Sequence, residues 1–427
     1  NYGYMGRYLL TLSARYDGSS RLAEGHKWVL FPSAALAWRI SDEPFMKDLV
    51  WLDNLKLRVG YGKTGNSAVS PYQTKGQLAL RHYVFNNGSS EYIGYAPSVM
   101  ANDQLTWETT DQWNVGVDFG FLKNRINGTV EFYLQNTKDL LLKRQLPVVS
   151  GFSSVMSNVG STRNKGIEIT LNTRNIMNRN FTWSTDLTFS ANKEEIVELY
   201  NGKTDDVGNL WFIGQPIDVY YNYKKIGIWQ NTENDLAEMA KFNEKGANFK
   251  PGSIRLEDVD GDYKITEEDK QILGSVRPKF VASMVNNFEF KGFDLSVFLY
   301  ASVGGLLRNN IEFMEKPGRG NTVKVDYWTS TNPTNAFPRP SVDVEKLDYI
   351  STLGYDKADF LRIRNITLGY TLPEMWSKKV LMDKIRIYLS ANNPAIFTNF
   401  TGIDPEGANG RTAPSYSTWM FGINLSM

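Results

Sequence analysis

Trp113-Asn114-Val115-Gly116-Val117-Asp118-Phe119-Gly120-Phe121 alternates along its whole length. The odd positions are large and apolar, while the even positions, Asn114, Gly116, Asp118 and Gly120, are small or polar. Period two sends successive side chains to opposite faces of a β-strand, so this stretch reads as a strand with one greasy and one wet face. The next segment repeats it, with Ile126, Gly128, Val130, Phe132 and Leu134 against Asn127, Thr129, Glu131, Tyr133 and Gln135. Further along, Phe181, Trp183, Thr185, Leu187 and Phe189 oppose Thr182, Ser184, Asp186, Thr188 and Ser190. Leu55, Leu57, Val59 and Tyr61 face away from Lys56, Arg58 and Gly60. The last stretch sets Trp419, Phe421, Ile423, Leu425 and Met427 against Met420, Gly422, Asn424 and Ser426.

Outward from 113–121, about twelve such strands lie near 4–17, 27–40, 54–62, 111–121, 126–138, 162–175, 180–191, 279–290, 293–302, 359–371, 384–391 and 417–427. Short connections such as Lys123-Asn124-Arg125 and Lys291-Gly292 alternate with long ones at 63–110, 139–161, 192–278, 303–358 and 392–416. Short turns at one end and long loops at the other describe an all-β fold, a transmembrane antiparallel β-barrel of the outer-membrane kind. A soluble β-sandwich also alternates, but it favours short turns at both ends. Aromatics near strand ends, among them Trp38, Trp107, Phe121, Phe290, Phe293, Tyr370 and Trp419, suit the interfacial girdles of a barrel.

Composition narrows the function. The 427 residues carry 47 Lys+Arg against 46 Asp+Glu, so there is no basic excess to hold nucleic acid. With no cysteine and only His26 and His82, disulfides, Cys/His zinc sites and a cysteine nucleophile are excluded. Mean hydropathy is −0.37 and no apolar run approaches the ~18 residues of a membrane helix. Aromatics nevertheless make up 13%, which fits a chain that averages a lipid face with a wet one. Asn1 to Arg7 is not the basic start of a signal peptide, and the chain is expected to begin in mid-protein.

The run Tyr16-Asp17-Gly18-Ser19-Ser20-Arg21, then Phe31-Pro32-Ser33-Ala34, Trp38-Arg39-Ile40-Ser41 and Glu43-Pro44-Phe45-Met46, resembles the barrel region of SusC/RagA-type TonB-dependent transporters of Bacteroidota. Tyr61-Gly62-Lys63-Thr64-Gly65-Asn66, Asn158-Val159-Gly160 with Asn164-Lys165-Gly166-Ile167-Glu168, and Phe360-Leu361-Arg362-Ile363 with Asn365-Ile366-Thr367-Leu368-Gly369-Tyr370 extend the likeness in the family's order. The resemblance implies a 22-stranded barrel plugged by an N-terminal domain, capped by a SusD-like surface lipoprotein and driven by TonB. On that reading residues 1–427 are the C-terminal part of one barrel domain, with some ten strands, the plug and the TonB contact before residue 1. A membrane barrel has to close, since an open edge strands backbone groups in lipid; a self-closing twelve-stranded barrel is the competing arrangement. The ending on Met427 departs from the aromatic terminus common in such barrels.

Inside the long 192–278 loop, expected on the extracellular side, lies Asp258-Val259-Asp260-Gly261-Asp262-Tyr263-Lys264-Ile265-Thr266-Glu267-Glu268-Asp269. Carboxylates at positions 1, 3, 5 and 12, with the Lys264 carbonyl at 7 and Thr266 at 9, have the spacing of an EF-hand loop around Ca²⁺. Against it, position 6 is Tyr263 where glycine permits the sharp turn, and Asp269 is shorter than the usual bidentate glutamate; the other reading is an acidic solvated turn. Trp211, Tyr220, Tyr221, Tyr223 and Trp229 form an aromatic set able to stack on sugar rings or to pack locally. No nucleophile elbow or phosphate loop is present, no organic cofactor is called for, and the chain is not expected to be an enzyme. The expectation is a nutrient importer of the outer membrane, for oligosaccharides or peptides, in contact with lipid and a SusD-like partner. The alternative is a non-transporting carbohydrate-binding or adhesin β protein of the cell surface.

Overall fold

The computed structural model describes residues 1–88, 90–309, 325–340, 347–407 and 415–427. The chain forms two compact units, Asn1–Ile217 and Asp218–Met427.

In the first unit the wall begins with β1 (Tyr2–Tyr4), β2 (Tyr8–Gly18), β3 (Trp28–Arg39) and β4 (Leu52–Asn66). A loop hairpin, β5 (Gln77–Phe85) and β6 (Ser90–Val99), precedes wall strands β7 (Glu108–Phe121) and β8 (Ile126–Lys138). A second hairpin, β9 (Leu141–Gln145) and β10 (Ser154–Asn158), precedes wall strands β11 (Ser161–Met177) and β12 (Phe181–Glu198). In the second unit β13 (Val219–Tyr223), β14 (Lys225–Ile228), helix α1 (Glu233–Glu244), β15 (Ile254–Leu256) and β16 (Lys270–Ser275) lie in a long loop. Its wall strands are β17 (Phe280–Phe290), β18 (Phe293–Val303), β21 (Phe360–Thr371), β22 (Lys384–Thr398) and β23 (Thr418–Ser426), with a loop pair β19 (Leu306–Arg308) and β20 (Tyr355–Lys357). Among the described residues eight wall strands of the first unit and five of the second each pair with their neighbours in chain order, thirteen in all, and every described pairing is antiparallel.

Thirteen replaces the expected twelve because the first expected strand, 4–17, breaks. Met5 and Gly6 take left-handed backbone (φ 54° and 64°) and turn the chain, so Tyr2–Tyr4 folds back on Tyr8–Leu10. The anticipated tight turn at Lys291-Gly292 is a two-residue reversal with both residues left-handed, the geometry that matches strand twist. Several strands run further than expected toward the long loops: β11 and β12 have 17 and 18 residues, where about 9–11 suffice to cross the hydrocarbon.

The faces are inverted relative to a soluble sandwich. Leu12 is 65% exposed and Phe421 70% exposed on the apolar face of the wall, whereas most fully buried apolar side chains come from loops. In the second unit Ile228, Ile254, Leu256, Trp328 and Leu353 pack into one cluster, and Trp229, Met239, Phe242 and Phe249 into another. The loop segments 218–279, 325–340 and 347–359 therefore share a core: Trp328 Nε1 donates to Gln230 (2.8 Å) and the Arg339 amide to Gly252 (2.9 Å). No described helix is long and apolar enough to cross a membrane.

Candidate functional site

Three groups of polar side chains stand out. The first lies on the polar face of the first unit's wall. Register places Lys56 opposite Asp118, Arg58 opposite Gly116, and Gly116 opposite Glu131. The Arg58 guanidinium holds Asp118 through Nε and Nη2 (3.0 and 2.8 Å) and reaches across β7 to Glu131 (2.5 Å). Gly116 permits that reach: a Cβ there would stand 2.9 Å from Arg58 Nη2. Glu131 in turn faces Glu168 on β11, so the guanidinium offsets a like-charge pair. Nearer the short turns, Asn54, Asn124, Asn127, Thr129 and Asn172 line an open cavity of about 540 Å³, and Asn172 donates to Asn127 (3.2 Å).

The second unit repeats the device. Asp294 and Arg386 pair across β21 (2.9 Å), and a Cβ at the intervening Gly369 would lie 2.5 Å from the Asp294 carboxylate. Beside them Asn365 donates to Ser390 and Asn392 (2.9 and 2.7 Å), while Thr367 donates to Asn365. A buried clamp fixes the last long loop: Arg362 Nη2 meets Asp404 at 2.7 Å, and its Nε stands 2.9 Å from Glu406 without the alignment of a hydrogen bond. Burial works against the Asp404 charge, but the Ser415 hydroxyl, the Glu406 amide and Arg362 outweigh it and hold the carboxyl below its ordinary 3.8. Sequence reasoning had no use for Asp404, because nothing local marks an acid whose partner is 42 residues away.

The third group is the acidic loop. Carboxylate oxygens of Asp258, Asp260 and Asp262 lie within 4.8 Å of one another. Asp258 accepts from the amides of Gly261 and Tyr263 (both 2.9 Å), Asp260 from that of Asp262, and Asp262 from that of Lys264. Tyr263 adopts φ +60°, the left-handed turn that glycine usually supplies at this position, and its ring packs edge-on against Phe242 (5.4 Å). Ile265 packs against both apolar clusters. Asp269 is fully buried with its oxygens on the amides of Val259 and Thr266 (2.8 and 2.7 Å), so it closes the loop from inside instead of joining the exposed triad. Thr266 caps the turn Glu267–Asp269, its hydroxyl accepting from Glu268.

The aromatic set is divided between the two units. Trp211 belongs to the first unit and the others to the second. Trp229 is 1% exposed, with Phe242 and Phe249 beside it and the Arg255 guanidinium 4.4 Å over its ring; it is a core residue, because α1 needs an apolar floor. Tyr220 packs edge-on against Tyr355, and Tyr223 against Tyr349, its hydroxyl bonding Glu267. Trp107, expected in a girdle, is buried against Phe31 and donates to the Lys27 carbonyl (2.9 Å). Glu43 is a further residue whose role was not legible: nearly buried in the β3–β4 turn, it binds Arg7, Tyr8 and Trp38. The hydrogen bonds from Tyr8 and then Trp38 hold its carboxyl below the ordinary range.

A two-faced antiparallel wall with its apolar side outward, short turns at one end and folded loops at the other defines an outer-membrane barrel. Residues 1–394 match the family described as TonB dependent receptor-like, beta-barrel, and the chain belongs to it. It is 33% identical over its full length to TonB-dependent receptor P3 of Formosa agariphila, and 32% identical to TonB-dependent receptor SusC of Bacteroides thetaiotaomicron. It spans 44% and 43% of the length of those two relatives. The RagAB peptide importer in its open-open state superposes with a TM-score of 0.82 at 26% identity, over 100% of this chain and 46% of that one. This chain is thus a SusC/RagA-type barrel portion of a Bacteroidota outer-membrane receptor, in a family of transporters and not enzymes.

Proposed function

We propose that residues 1–427 are the C-terminal part of one plugged barrel, and that the whole protein imports oligosaccharides or peptides with a SusD-like lipoprotein and energy from TonB. The observation that carries this reading is the wall itself, greasy outside and studded inside with braced polar groups, beneath loops that pack a core of their own. The similarity to RagAB, a peptide importer, and to SusC supports it. The β5–β6 hairpin suits a partner: Leu80, Tyr83, Phe85, Tyr92, Ile93 and Tyr95 are all exposed on it. The test is to purify the full-length protein from outer membranes in mild detergent and identify what accompanies it. A SusD-like lipoprotein is expected at equal stoichiometry; a full-length protein that is monomeric in the native membrane contradicts the partnership. Titration of that complex with defined oligosaccharides and oligopeptides separates the substrate classes.

The acidic loop, on this reading, binds Ca²⁺. Asp258, Asp260 and Asp262 offer carboxylates and Lys264 its carbonyl, while Thr266 and Asp269 hold the far side of the loop. The cation offsets three converging negative charges and fixes the loop against α1. Chelation of the full-length protein is expected to speed proteolysis between 192 and 278, and Asp260→Asn to do the same without chelator. Cleavage unaffected by either treatment contradicts the assignment.

A further inference from the structure

The turn between β21 and β22 exposes a set of apolar side chains that no loop core uses. Met375, Trp376, Val380 and Leu381 are between 54% and 89% exposed, and Lys378 and Lys379 stand between them in sequence. The turn is nonetheless hydrogen-bonded within itself. Ser377, fully buried, donates its hydroxyl to the carbonyls of Glu374 and Asp383 (both 3.2 Å), and the Met382 amide returns to Ser377. Its polar backbone is thus largely satisfied from within, which is the condition for resting in a medium that supplies few partners.

The turn also continues an interface already described. The outward row of β21, Ile366, Leu368 and Tyr370, runs to Leu372, whose amide donates to Ile385 at the head of the matching row of β22. The apolar patch therefore grows directly from the lipid-facing wall at the short-turn end, the periplasmic side of such barrels. Trp beside Lys is the composition of a segment held at the headgroup level, with the ring in the acyl boundary and the ammonium among phosphates. Lys378 is tied to Glu374 (3.2 Å), whereas Lys379 has no ion pair among the described residues. The first unit repeats the composition on its β3–β4 turn, where Phe45, Val50 and Trp51 are exposed around Lys47 and the short helical turn Pro44–Met46.

We infer that the β21–β22 turn is an interfacial anchor that lies in the phospholipid leaflet facing the periplasm, with Met375, Trp376, Val380 and Leu381 in the acyl boundary and Lys379 on lipid phosphate. The inference rests on the barrel reading, and its test separates the two. Residues 1–427 contain no cysteine, so Leu381→Cys, or Val380→Cys as a second variant, gives this turn a thiol for an environment-sensitive fluorophore in a full-length protein whose cysteines outside 1–427 are replaced by serine. The labelled protein is reconstituted in vesicles of phosphatidylcholine, with or without bromine on the acyl chains. Labels at Leu425→Cys on the wall and Lys203→Cys in a long loop serve as references. Quenching by brominated lipid comparable to that at 425 is the expected result. A label at 381 that emits as in water, like that at 203, overturns the anchor, and so does a shielded label that bromine does not quench, which means that protein covers the turn. Failure of the 425 reference would instead refute the barrel.

Discussion

Gly116 and Gly369 show how much the wall depends on side chains that are absent. Each sits between the two members of an ion pair that reaches across its strand, Arg58 with Glu131 in one unit and Asp294 with Arg386 in the other. A valine at 116 would displace Arg58 and leave Glu131 facing Glu168 without its counter-charge. Overpacking of this kind costs about 1–3 kcal/mol. Gly116→Val should therefore lower the temperature at which the full-length protein loses its compact gel mobility, and adding Glu131→Gln should recover part of the loss. No change on Gly116→Val would mean that the ion pair does not brace the wall. The glycines were visible as the small members of an alternating strand. Their purpose was not, because it depends on which residues two neighbouring strands place beside them.

At the scale of elements, the alternation of short turns and long loops was readable because each wall strand carries its own period-two signal and glycine or asparagine punctuation. The loop architecture was not. Helix α1 has only a modest apolar stripe, Met239 and Phe242, and acquires its floor from Trp229 and Phe249, which lie outside the helix. The clamp on the last loop depends in the same way on a long-range partner, Arg362. Its pH response follows from the lowered carboxyl of Asp404. A group whose folded value is depressed contributes its full stabilisation above its unfolded value and loses it as pH falls through the folded one. The protection of amides in 399–407, taken relative to their intrinsic exchange rate at each pH, should thus stay high from neutral pH down to about 4 and fall in more acid solution. Arg362→Ala should remove the protection at neutral pH as well, since breaking a buried ion pair costs about 3–5 kcal/mol. Exchange in that segment that ignores both changes would show that the loop is held by something else.

For the whole molecule, the modest mean hydropathy describes neither face of the wall. It is the average of an exposed apolar side, from Leu12 to Phe421, and a polar side carrying Arg58, Asp118, Asn365 and Arg386. A soluble protein of this composition would bury the first and expose the second. The described residues do the reverse and keep much of their closed apolar packing in the loops. The acidic loop, too, was legible in its Asp258, Asp260 and Asp262 spacing, whereas the inward turn of Asp269 depended on amides that only the folded loop presents. The most direct test of the account is a cysteine scan along β7, from Trp113 to Phe121, in the full-length protein embedded in outer membrane, with each variant offered a spin label. Labels at 113, 115, 117 and 119 should collide with oxygen dissolved in lipid and be hidden from a water-soluble nickel complex; labels at 114 and 118 should not respond to lipid-borne oxygen. A scan without period two, or with the odd positions open to the nickel complex, would contradict the membrane wall and the importer built on it.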